Sequence, residues 1–145
     1  MSTLDLFRHD FVLSVNPDYA NKIVDGKKTA ELRRRFPLTT MTGAIAYIYA
    51  TSPVQAVIGF AIIKMVQQLS VRDIWQEFSD AACIDKDDFE TYFAGLDKGH
   101  VVVLDRARRF RDSVSVDQLK ARFGFVPPQS FCYADESYRT LLKNE

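Results

Sequence analysis

The sequence predicts an α+β fold, a small mixed sheet or barrel flanked by helices. Three observations lead there. Apolar and polar residues alternate at period two in several stretches, as in strands with one covered face. Between them lie short amphipathic segments opened by an Asn or Ser cap and closed by glycine, as helices are. Strands and helices follow one another without regular βαβ alternation, which disfavours a parallel doubly wound sheet.

Phe11 to Val15, "FVLSV", reads as the first strand. Asn16-Pro17 then supplies a cap and a first-position proline for the helix "PDYANKIVD". Its apolar stripe runs through Tyr19, Ala20, Ile23 and Val24, and Gly26 ends it. From Thr29 to Phe36 the period becomes two: Ala30 and Leu32 belong to a packed face, while Thr29, Glu31, Arg33 and Arg35 share the other. Pro37 closes this strand. "GAIAYIYA" (43–50) and Val54 to Val66 form the next strands around the turn Thr51-Ser52-Pro53. Gly59 inside the second of them implies a bulge or a close backbone approach. Ser70 caps the helix "VRDIWQEF", with Asp73 three residues on as a weak capping box. "KDDFETYFAGL" is a further helix, "HVVVLDRARRF" a strand, and "SVDQLKARFG" a helix stopped by Gly124. Pro127-Pro128 leads into an extended "QSFCY", and "DESYRTLLKNE" is a last helix.

The 145 residues suit a single domain, 1–145, with no linker or repeat. Hydrophobic residues at 47% and charged ones at 26% exclude a disordered chain. Lys plus Arg and Asp plus Glu number 19 each, so any affinity for a polyanion must come from local clustering. The N-terminus "MSTLDLFRHD" lacks a signal-peptide pattern, and Val54 to Val66 carries Gln55 and Lys64 and is too short to span a bilayer. A cytoplasmic protein without membrane attachment is expected. Cys83 and Cys132 fit no metal-ligand spacing and read as buried free thiols. No metal and no cofactor are expected, since P-loop, HExxH, GxSxG and dinucleotide motifs are all missing from the sequence.

The chemistry concentrates in "DGKKTAELRRR" (25–35). Counting Lys22, six cations (Lys22, Lys27, Lys28, Arg33, Arg34, Arg35) stand against two anions (Asp25, Glu31), a local net charge of +4. A charge run is ordinarily a solvated face. Here a carboxylate sits inside the cation cluster, and a turn glycine delivers Lys28 and Thr29 from a helix end into a strand start. Both features suit a shaped site. Strict alternation points Lys28 away from Glu31, so the two meet only if Lys28 lies in the turn before regular pleating. A second basic group, Arg106, Arg108, Arg109 and Arg111, lies on the late strand, with Arg106 and Arg108 on one face. If the two basic strands border one cleft, they form an anion-binding surface. Tyr47, Tyr49, Phe60 and Phe131 are either core residues or platforms for base stacking.

"GKKTAELRRR" resembles the G-x-K-x-x-E-x-R signature of the ASCH domain family, in register at Gly26, Lys28, Glu31 and Arg33. "LSVNPDYANKIVDG", "YIYATSPVQAVIGFAII", "FETYFAGLDKGHVVVL" and "PPQSF" are similar to further segments of bacterial members. The resemblance implies a small, mostly antiparallel PUA-like β-barrel with flanking helices. It implies binding of RNA or a modified nucleoside in a cationic cleft lined by the signature residues. Some small members deacetylate N4-acetylcytidine and others cleave RNA. The deacetylating members are similar to this chain at Lys28 but carry threonine at the position of Glu31. Their second carboxylate lies on a later helix, for which Asp73 and Glu77 are the candidates.

Amide hydrolysis without a metal needs a base or activated water, a proton shuttle and an oxyanion stabiliser. Lys28 can act as a base of lowered pKa or as a charged stabiliser. Thr29 or Ser52 can supply a hydroxyl, and Glu31 can hold water or orient Lys28. RNA cleavage needs an acid and a base near the 2′-hydroxyl and cations on the phosphate. His9 and His100 are the only imidazoles, and surface or capping roles are expected for both. Ser130 reads as structural. The expected catalytic set is Lys28, Glu31 and Thr29, with Lys28, Arg33, Arg35, Ser52, Arg106 and Arg108 binding the ligand.

Overall fold

The computed structural model describes residues 9–145. Residues 1–8, in which no signal peptide is read, lie outside the described part. Six strands form one sheet: β1 (Asp10–Val15), β2 (Ala30–Arg33), β3 (Ile45–Ala50), β4 (Ala56–Ser70), β5 (Lys98–Ser115) and β6 (Phe131–Ala134). Their order is β2-β5-β4-β3-β1-β6. Pairing is antiparallel except between β1 and β3. The helices are α1 (Pro17–Val24), α2 (Val71–Ala82), α3 (Lys86–Tyr92) and α4 (Val116–Phe123). Glu136–Asn144 forms a 3-10 helix where the sequence suggested an ordinary one.

The caps operate as their residue types require. Asn16 accepts from the Tyr19 amide (3.0 Å), and Ser70 from that of Asp73 (3.1 Å). Helix α2 runs beyond the expected "VRDIWQEF" to Ala82, and Cys83 ends it with φ 54°. The two long strands are bent by register shifts, one of them at Gly59. A Cβ on Gly59 would meet the Arg108 carbonyl at 2.3 Å and Val24 Cγ1 at 2.7 Å, so only glycine lets α1 lie this close to β4.

Three packed groups surround the sheet. Phe11, Leu13, Ile48 and Ile63 bury Ile23 and Val24 of α1. Across the sheet, Val12, Tyr47 and Phe110 meet Leu119 of α4 and Leu141 of the 3-10 helix. Ala30, Leu32 and Val101 pack on Ile74 of α2 and on Phe89 and Phe93 near α3. Tyr47, Tyr49 and Phe60 are therefore core residues, as buried aromatic rings commonly are.

Strand β2 departs from the expected pattern of one covered face. It stops at Arg33, and all four of its residues are buried. Nor does the expected barrel close by a backbone ladder, because β2 and β6 remain the two ends of the sheet. Pro127 and Pro128 precede β6 and have no N–H with which to extend pairing. The ends are joined by a side chain instead. Arg33 donates from Nη1 to the Ser130 carbonyl (3.0 Å) and from Nη2 to the Ser14 carbonyl (3.0 Å). The cysteines are free but half-buried rather than buried.

Candidate functional site

The site begins with the turn after α1. Gly26 takes φ 77°, where an L side chain is disfavoured. The amides of Lys27 and Lys28 both donate to the Lys22 carbonyl (2.9 and 3.0 Å), which holds Lys28 in the turn ahead of the pleat. This is the condition under which Lys28 can face Glu31, and it is met: Nζ lies 3.5 Å from Glu31 Oε1. The ammonium also donates to the Ala82 carbonyl in the last turn of α2 and lies 4.7 Å from the centre of the Tyr19 ring. A helix C-terminus and an aromatic face both favour a cation.

Glu31 is shared. Its Oε2 accepts from Arg33 Nη2 at 2.8 Å. Arg33 Nη1 reaches Ser130 Oγ as well (3.1 Å), while its buried Nε has no partner among the described residues. Lys28, Glu31 and Arg33 are 3%, 6% and 6% exposed, so the cluster is largely desolvated. Burial lowers the pKa of Lys28, with the nearby Arg33 adding to the fall and Glu31 opposing it. Burial raises the Tyr19 phenol, helped by the carboxylates of Asp88, Asp85 and Glu31.

These groups form the floor of a cleft of about 790 Å³, within the range of small-molecule sites. Ser14, Asn16 and Tyr19 line one side, and Tyr92, Gln129, Ser130 and Phe131 others. Exposed Arg34 and Arg35 stand at its edge. Arg34 is tied down through Nη1 to the carbonyls of Tyr92 (2.7 Å) and Ala94 (3.3 Å). The Tyr92 hydroxyl donates to the Leu32 carbonyl (3.1 Å) and accepts from the Arg34 amide (3.2 Å), satisfying the free edge of β2. Arg35 makes no hydrogen bond or ion pair among the described residues.

Of the residues singled out in the sequence, Lys28, Glu31, Arg33 and Arg35 come together. Thr29 does not. Its side chain is exposed outside the cleft lining, while its backbone bonds to the Ala81 carbonyl and the Leu104 amide. Ser52 is exposed in the β3–β4 turn, away from the cleft. Arg106 pairs with Asp105 (3.6 Å) and Arg108 with Glu145 (3.5 Å), and neither lines the cleft. The two basic strands are neighbours, but β2 pairs with Lys98-side residues of β5, His100 to Val103, before the arginines begin. Asp73 and Glu77 are exposed on α2 and do not line the cleft either. His100 is buried, with Nδ1 3.2 Å from the Arg34 carbonyl, a structural role. Ser130 has a structural role too, but within the cleft. Ser14, Tyr19, Tyr92 and Gln129 went unnoticed because nothing in their local sequence marks them; pairings across the chain bring them in.

The ASCH domain model matches residues 13–121. The chain belongs to the ASCH family. Among its relatives is an ASCH domain-containing ribonuclease of Zymomonas mobilis subsp. mobilis, 39% identical over 127 residues, which cover 87% of this chain and 84% of that one. The crystal structure of a tyrosine-to-phenylalanine variant of the ASCH protein from Zymomonas mobilis superposes with a TM-score of 0.88 at 35% identity, covering 94% of this chain and 97% of that one. The N-terminal domain of Staphylothermus marinus McrB shares the fold at 14% identity, with a TM-score of 0.59 over 93% of each chain. The architecture is thus the α+β, PUA-like one of ASCH proteins, with an open sheet.

Proposed function

We propose that this ASCH protein binds RNA in the cleft and cleaves it with its own side chains. The observation that carries the reading is the desolvated Lys28 on the cleft floor, its pKa lowered by burial, beside Arg33 and below Arg35. The name of the Zymomonas relative, a ribonuclease 39% identical, agrees with it.

In its deprotonated form, toward which burial shifts it, Lys28 takes the proton of a ribose 2′-hydroxyl. The 2′-oxygen bonds to phosphorus as the bond from phosphorus to the 5′-oxygen breaks. The departing 5′-oxygen takes a proton from Tyr19, whose phenol burial keeps protonated. Arg33 and Arg35 offset the charge that builds on the phosphate oxygens. Glu31 holds Lys28 and Arg33 in place without itself reaching a substrate proton. The products are a 2′,3′-cyclic phosphate and a 5′-hydroxyl.

A second reading is hydrolysis of an acylated nucleoside such as N4-acetylcytidine, favoured by the contact between Lys28 and Glu31 in a cleft of nucleoside size. Incubating the protein with RNA, with its 2′-O-methyl counterpart and with N4-acetylcytidine separates the two. Cleavage of RNA alone, leaving cyclic phosphate ends, supports the first reading. Cleavage of the 2′-O-methyl strand refutes it, and deacetylation without RNA cleavage replaces it by the second. Lys28→Ala abolishes turnover in either case while circular dichroism stays native.

A further inference from the structure

The cleft opens beside a row of aromatic rings at the free edge of the sheet. Phe131 and Tyr133, two residues apart on edge strand β6, share a face, with ring centroids 6.0 Å apart and planes at 83°, so each offers a base its own separate ring. The exposed His9 ring continues the row, 4.7 Å from Tyr133. Phe131 is half-buried and lines the cleft, whereas Tyr133 is 53% exposed. Buried Phe11 and Phe36 support the row from below. Phe36 lies 4.9 Å from Phe131, and Phe11 lies 5.8 Å from Phe131 and 5.2 Å from Tyr133. A lone exposed tyrosine would be ordinary. A supported row leading out of a cleft is a different arrangement.

We propose that Phe131, Tyr133 and His9 form a stacking subsite for the bases of single-stranded RNA leaving the cleft. The proposal rests on the reading of the cleft as an RNA site and narrows its substrate. Every base has a flat face, so such a row takes bases without regard to sequence. A duplex cannot use it, because its bases are already paired and stacked. The charge also favours nucleic acid over an apolar partner. Arg35, exposed and unpaired among the described residues, immediately precedes Phe36 in the chain and can hold a phosphate beside the row.

The test is fluorescence anisotropy with three labelled probes: oligoadenylate of about ten nucleotides, an abasic strand of equal length, and a duplex. The wild type binds the oligoadenylate more tightly than the abasic strand or the duplex. Tyr133→Ala weakens oligoadenylate binding at least about fivefold, the low end for one lost stacking contact. Tyr133→Trp retains it, and both variants bind the abasic strand as the wild type does. Wild-type affinity in Tyr133→Ala overturns the subsite while leaving the cleft reading intact, as does an equal loss on the abasic strand. Failure of the wild type to bind any of the three overturns both. Sedimentation of each variant completes the test: an oligomer lost together with RNA binding in Tyr133→Ala would assign the face to a second copy of the chain instead.

Discussion

Replacing Glu31 by glutamine keeps the shape of the cleft floor and removes the charge that two buried cations share. At an effective dielectric of about 20, the gross attraction is about 6 kcal/mol for Arg33 at 2.8 Å and about 5 kcal/mol for Lys28 at 3.5 Å. Most of that is offset by the several kcal/mol each ion loses on leaving water. Removing one member of a buried ion cluster costs about 3–5 kcal/mol, because the remaining charges stay buried and uncompensated. The amide oxygen of glutamine still accepts from Arg33, which places Glu31→Gln near the low end, about 3 kcal/mol. For a chain of this size that lowers the thermal midpoint by about 6–12 °C. Calorimetry measures it. A midpoint within about 2 °C of the wild type would mean a solvated cluster and refute the reasoning. The pH profile gives an independent check. Glu31 raises the pKa of Lys28 against the lowering by burial, so in Glu31→Gln the acid limb of RNA cleavage moves to lower pH. A limb that stays put or moves upward shows that Lys28 is not the titrating base.

Stability itself depends on Lys28. Below its lowered folded-state pKa the ammonium is charged in both folded and unfolded chains, and its burial cost is present in full. Between that pKa and the ordinary 10.5 the unfolded chain binds more protons, so stability rises with pH. In urea titrations the difference between wild type and Lys28→Met therefore moves toward the wild type across that window. A pH-independent difference would contradict the burial of the charge. Tyr92→Phe removes the hydroxyl that satisfies the Leu32 carbonyl and the Arg34 amide, and should cost about 1–3 kcal/mol by urea unfolding and speed amide exchange at Arg34. Unchanged exchange would show that water replaces the hydroxyl. Arg106→Ala and Arg108→Ala, exposed and away from the cleft, should alter stability by no more than about 0.5 kcal/mol and leave RNA cleavage near wild type. A large loss of cleavage would place the RNA path across β5 rather than out of the cleft.

Local physics made much of this chain legible before folding. Asn16-Pro17 and Ser70 open helices because their side chains accept otherwise orphaned amides. The period-two run placed Ala30 and Leu32 on a packed face, where they meet Ile74 and Phe93. Gly59 foretold a close approach, and a carbonyl of β5 fills the space. The signature residues also pointed to the floor of the cleft, because Gly26 brings Lys28 round to Glu31 within one turn of chain.

The sequence by itself determined where most elements begin and which residues, Lys28, Glu31 and Arg33, concentrate the chemistry, since capping, pleating and a glycine turn act over a few residues. Tertiary structure alone decided what encloses that cluster. The Ala82 carbonyl and Ser130 reach it from 54 and 97 residues away, and the Tyr92 hydroxyl holds the Leu32 carbonyl beside it from 60 residues away. Tertiary structure also sent Arg106 and Arg108 elsewhere, because antiparallel β2 begins opposite Val103 and runs away from them toward His100. Burial is a property of the assembled sheet and helices, and burial is what turns an ordinary lysine in a basic run into one with a lowered pKa.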